Sequence, residues 1–270
     1  MKSRVLRCIF SIFLFCVLVL QSRITADAQS IPYDQKVFDA WVDLRVGDGT
    51  KPVWWYCYGE VYSYPDGELL SYMQGIDVAN LIRITKDSVI QLNRKTFVYL
   101  DKTTKEVLTS YDGKPVNHIE YPYQQITYAL RGDKLVTYVT QGKGKRIVTI
   151  GPGYKTLARK VGENYTFSAP VFLKLPLPNG AVMEAWENYD FIANQRETKT
   201  ENKYQLFWER YGDLAPFFGT GRKGVIQLTC YRIDKLEDVP QPLQNHIRTK
   251  AQLWMNPPKD VAEIAQLQKE

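Results

Sequence analysis

Two stretches alternate with a period of two over more than ten residues, and no other feature restricts the fold as strongly. Residues 52–64 read PVWWYCYGEVYSY, which places Trp54, Tyr56, Tyr58, Glu60, Tyr62 and Tyr64 on one parity and Val53, Trp55, Cys57, Gly59 and Val61 on the other. Side chains of a strand project alternately to opposite sides, so each parity is one sheet face. Residues 88–100 repeat the pattern, with Ile90, Leu92, Arg94, Thr96, Val98 and Leu100 in register. Turn residues at 65–67, 101–105, 131–134, 151–153 and 178–180 separate further strands expected at 106–111, 125–130, 135–140, 146–150, 171–175, 181–192, 204–211 and 225–233. Asn179-Gly180 is a tight hairpin signal. Helical spacing occurs only near the ends, over 33–44 (Val37, Phe38, Trp41, Leu44) and 241–254 (Leu243, Ile247, Ala251, Trp254). This order predicts a mainly β chain: an antiparallel β-barrel or strongly curved sheet with short N- and C-terminal helices, a β-sandwich being the alternative.

The N-terminus is of another kind. Lys2, Arg4 and Arg7 precede an apolar run of 12 residues (9–20, IFSIFLFCVLVL), and Ala26-Asp27-Ala28 offers small residues at both positions a signal peptidase reads. The run is too short to span a bilayer. We expect a signal peptide over 1–28 cleaved after Ala28, a single β-rich domain over 29–258, a tail over 259–270, and a periplasmic or secreted product without a stable membrane anchor. Removing the leader's four basic residues and one acid from the chain's 35 and 29 lowers the net charge from +6 to +3. That balance is too mild to point to nucleic acid. Cys8 and Cys16 leave with the leader; Cys57 and Cys230 remain, either as a disulfide, which an oxidising compartment permits, or as two buried thiols.

Familiar catalytic templates do not fit. The chain has two histidines: His246, expected at a packing edge of the closing helix, and His118, a candidate general base or a satisfied loop residue. They make no zinc spacing, even with the two cysteines. Gly219-Thr220-Gly221-Arg222-Lys223-Gly224 matches a dinucleotide fingerprint in letters, but a strand rather than a helix follows it. No metal and no cofactor is expected.

The residues that draw attention are cations in apolar rows. Arg94 stands among Ile90, Leu92, Thr96 and Val98, and the row Tyr204, Leu206, Trp208 ends in Arg210. A guanidinium facing a core is costly unless paired or liganded. Arg94 therefore either forms a structural ion pair, with Glu60 or Glu184 as candidate partners, or grips an anionic group in a pocket. Trp54, Tyr56, Tyr58, Glu60 and Tyr62 are either a solvent-facing stripe or the lining of such a pocket.

Val53-Trp54-Trp55-Tyr56 with Gly59, Tyr62 and Gly75, then Arg94 with Tyr99-Leu100-Asp101 and Glu106-Val107-Leu108, and finally Gly221-Arg222, the 228–232 strand and Leu236-Glu237-Asp238-Val239-Pro240 occur in an order that resembles the bacterial family called domain of unknown function 1838. The resemblance runs from about Trp41 to Pro258 and implies a bacterial, commonly exported protein with no established reaction. Where members have a tryptophan and an Asn-Pro turn after the Glu-Val-Leu strand, this chain has Tyr111-Asp112-Gly113-Lys114-Pro115. The leading expectation is a protein that holds a hydrophobic or amphipathic small molecule, with Trp54, Tyr56, Tyr58, Glu60, Tyr62, Arg94, His118, Trp208 and Arg210 as its ligand-binding residues. A cofactor-independent isomerase or hydrolase of a lipid-like compound, and a structural domain with a filled core, are the alternatives.

Overall fold

The computed structural model of the protein describes residues 30–141, 148–150, 155–176 and 182–263. The expected leader and cleavage site, the turns at 151–153 and 178–180, and the chain beyond 263 lie outside the described residues. The strands are β1 (Ser30–Ile31), β2 (Val53–Ser63), β3 (Leu69–Thr85), β4 (Ser88–Leu100), β5 (Ser110–Tyr111), β6 (Lys114–Pro115), β7 (Ile119–Arg131), β8 (Lys134–Gln141), β9 (Val148–Ile150), β10 (Leu157–Val161), β11 (Asn164–Pro176), β12 (Val182–Ala193), β13 (Tyr204–Asp213) and β14 (Lys223–Ile233). Twelve of them form one antiparallel sheet in the order β1-β10-β11-β12-β13-β14-β2-β3-β4-β7-β8-β9, while β5 and β6 make a separate two-stranded ribbon. The large sheet curls through 272° as a half-barrel, the strongly curved sheet that the alternation predicts.

The sequence pattern misses the longest strand. β3 spans 17 residues (LLSYMQGIDVANLIRIT) and does not alternate. The physical reason is its central place: between Leu70 and Ala79 almost every residue is buried, because both faces of the sheet are covered there. Gly75 lets β4 approach, since a Cβ at that position would lie 2.2 Å from the Phe97 ring. The strand expected at 106–111 is reduced to a single bridge from Val107 to Leu100 and the short β5.

Helix α1 (Gln35–Val46) lies within the curl. Asp34 caps it, its carboxylate accepting from Val37 N at 2.8 Å, and Gly47 ends it at φ 72°. Trp41 touches Tyr128 of β7 (5.5 Å), Phe167 of β11 (5.2 Å) and Phe191 of β12 (5.2 Å), so one side chain joins the two limbs of the half-barrel. Helix α2 (Gln241–Lys250) packs on the outside, where Leu243 and Ile247 form a second core with Tyr56, Ile76, Val98, Leu100 and Trp254. No helix among the described residues is long and apolar enough to cross a membrane.

Candidate functional site

Register carries the polar residues into one place. Arg232, Trp55, Asp77, Lys95 and Tyr121 oppose one another in a row across β14, β2, β3, β4 and β7 on the concave face. From the other limb, Glu187 of β12 and Arg210 of β13 are direct partners. Between the limbs is a cavity of about 250 Å³. Its walls are mostly apolar and aromatic, including Trp41, Trp55, Tyr128, Phe191 and Trp208, and five charged side chains reach it: Arg45, Asp77, Lys95, Glu187 and Arg210. Cys57 and Cys230 also line it, joined as a disulfide. They oppose each other directly on β2 and β14, with Cα atoms 4.0 Å apart. Of the two thiol states the sequence allows, the structure holds the bridge.

The charges are arranged as two pairs and a remainder. Asp77 accepts from Asn93 Nδ2 at 2.7 Å and lies 3.7 Å from Lys95 Nζ. Burial lowers the Lys95 pKa, and the charge of Asp77 opposes that shift. Glu187 accepts from Tyr189 Oη at 2.7 Å and sits 3.9 Å from Arg210. Arg45 is different. It is 6% exposed, its Nε donates to Tyr128 Oη at 3.2 Å, and Tyr128 in turn donates to Gln91 at 3.0 Å. Its guanidinium lies 4.7 Å from the centre of the Phe191 ring and 5.9 Å from that of Trp41. Among the described residues no carboxylate comes within ion-pair distance of it. Burial raises the Tyr128 pKa, so that group stays a neutral phenol beside the cation.

Of the residues expected from sequence, Trp208 and Arg210 lie in this wall. The others do not. Arg94 points to the opposite side of the sheet, where it is 3% exposed, donates to Asn256 O at 2.9 Å and pairs with Glu263. Neither Glu60 nor Glu184 is its partner. Trp54 and Tyr56 belong to the same outer core under α2, and Tyr58, Glu60 and Tyr62 continue that face toward solvent, Tyr58 being 45% exposed. The parity grouping is right, but the face is the packed outer one, and the residues read as plain core (Trp55, Cys57) line the cavity. His118 lies outside the cavity: its Nδ1 accepts from Tyr99 N at 3.4 Å, and its ring meets His246 of α2 edge-on at 5.2 Å. Arg45, Asp77, Lys95, Tyr121 and Glu187 are not singled out by the sequence reading. Arg45 was within reach of it, since it falls four residues after Trp41 on the apolar side of a recognised helix. Asp77 was not, because its strand does not alternate.

Among the described residues no three His, Cys, Asp or Glu side chains gather as a metal ligand set. In comparison with known proteins, the family model described as "Protein of unknown function (DUF1838)" matches residues 50–268. No curated protein matches the chain.

Proposed function

We propose that this chain, which belongs to the DUF1838 family, binds an amphipathic small molecule inside its curled sheet. One observation carries the reading: the concave face encloses open volume and surrounds it with five ionisable side chains. A domain whose interior served only stability would fill that volume with apolar side chains, because burying charge costs more than packing hydrocarbon. Concave, mainly apolar sites with a few placed polar groups are the usual form of a small-molecule pocket, and about 250 Å³ suits a small ligand. The aromatic wall would hold the apolar part and the charged cluster the polar end. The signal-peptide pattern and the Cys57–Cys230 bridge support work outside the cytoplasm; a mature N-terminus at Gln29, read by Edman degradation, is the matching observation.

The test fills the cavity. Ala169 lines it and is 7% exposed. The neutral dye N-phenyl-1-naphthylamine should gain fluorescence in the wild-type protein and not in Ala169→Phe, with unchanged circular dichroism. Equal dye uptake by the folded variant would overturn the reading.

A further inference from the structure

We infer that the polar end of the ligand is a single carboxylate and that Arg45 anchors it; this deepens the small-molecule reading and rests on it. The charge count comes first. Three cations and two carboxylates face the cavity, and the carboxylates are already engaged, Asp77 with Lys95 and Glu187 with Arg210. One positive charge is left over by this count and falls to Arg45, 6% exposed, which feels the field of Asp77 but has no carboxylate of its own within ion-pair distance among the described residues. A buried cation that shares a distant counterion with another cation is costly to keep, so a monoanion is the ligand that relieves it.

Geometry narrows the anion. A guanidinium carries five N–H donors in one plane. In Arg45 the Nε–H is taken by Tyr128 Oη, and the flat face is shielded by Phe191 and Trp41. What remains for a ligand is the planar edge bearing the two terminal nitrogens. That edge matches the two oxygens of a carboxylate in a bidentate pair. The hydrogen bond from Tyr128 on to Gln91 holds the edge in place before any ligand arrives.

The neutral polar atoms of the wall agree. Trp41 Nε1, Trp208 Nε1 and Thr137 Oγ1 are buried in lining residues without a hydrogen-bond partner. Two of these can only donate and the third can donate or accept, so the unsatisfied hydrogen-bonding capacity of these lining residues leans toward donors, which an acceptor oxygen would match. A primary amine would meet a net positive cavity. An alcohol would bring Arg45 no counterion, and a phosphate monoester brings more negative charge than one cation balances. The aliphatic side chains of Ile126, Val139 and Val171 complete the lining and suit a hydrocarbon tail.

The experiment compares head groups on one tail, using the full chain and isothermal titration calorimetry at pH 7 with decanoate, decan-1-ol and decyl phosphate. Decanoate should bind at least tenfold more tightly than decan-1-ol, which corresponds to about 1.4 kcal/mol. In Arg45→Gln that preference should vanish through loss of decanoate affinity alone, and Arg45→Lys should retain part of it. Should Arg45→Gln not fold, the wild-type ratio and Arg45→Lys still decide. Equal binding of acid and alcohol, tighter binding of decyl phosphate, or a preference that survives in Arg45→Gln overturns the carboxylate while leaving the cavity reading intact. Failure of all three ligands together with the dye overturns both.

Discussion

Arg94 and Lys95 are neighbours in β4, yet they face regions built on opposite principles. On the outside, the chain neutralises Arg94 with its own C-terminal segment, through Asn256 O and Glu263, and covers the surrounding apolar row with α2 and Trp254. Trp254 fastens that cover by donating its indole N–H to Lys95 O at 2.7 Å and Tyr121 O at 3.2 Å. On the inside, Lys95 faces open volume with Asp77 beside it, in a lining that also holds Arg45, an arginine with no carboxylate of its own within ion-pair distance among the described residues. A cation in an apolar strand row is therefore not in itself a sign of a site. The useful distinction is whether the rest of the chain closes over it.

The largest expected effect is on the inner region. The Cys57–Cys230 bridge closes a sequence separation of 173 residues, and Cys57→Ala/Cys230→Ala should lower stability by about 4 kcal/mol in urea unfolding. Because the bridge is part of the cavity wall, dye uptake should weaken as well. If uptake is unchanged, the inner wall does not depend on it.

Next is the outer core. Ile247 is fully buried, and Ile247→Ala should cost about 3 kcal/mol by the same measurement, with decanoate affinity unchanged. A parallel loss of affinity would show that the two faces are coupled rather than separate. Glu263→Gln, which removes the carboxylate from a nearly buried Arg94, should cost about 2 kcal/mol in urea unfolding and also spare ligand binding.

The smallest effect concerns acid. His118 and His246 meet where α2 packs, and burial is the main cause that holds both imidazoles neutral. The His118 pKa is pushed down to about 4 from an ordinary 6.5, with His246 contributing, and that of His246 is lowered with help from Lys250. Above about pH 6.5 these groups add no pH dependence. As the pH falls below that, the unfolded chain takes up protons that the folded chain refuses, so stability declines until His118 itself protonates near pH 4. Both rings are half-buried and partly screened, so the wild type should lose on the order of 1 kcal/mol more than His118→Gln between pH 7 and 4.5. Matching slopes for the two proteins would remove His118 from the acid response.

Much of the fold was legible. Helix α1 was expected over 33–44 and spans Gln35–Val46, and the alternation of β2 and β4 sorted their side chains into the correct two sets. Where reading failed, the causes are specific. β3 is buried on both faces, so it lacks the periodicity that marks a strand, and Asp77 was lost with it. The Cys57–Cys230 bridge depends on β14 returning to pair with β2, a long-range closure that no local pattern encodes. The row that holds Trp208 and Arg210 and the row that holds Arg94 look alike in the sequence, and only the first lines the cavity.

Local chemistry along the chain settled which segments extend, which coil into helices, and which side chains share a face, because backbone sterics and hydrophobic period act over a few residues. Which face became the inside was decided only in three dimensions. It depends on the direction of curl, on α1 occupying the hollow and on α2 with the C-terminal segment covering the back. Those placements arise from contacts summed over the whole chain, so Arg94 and Arg45, alike as buried arginines in apolar surroundings, part company only when the sheet closes around one and the C-terminal segment around the other.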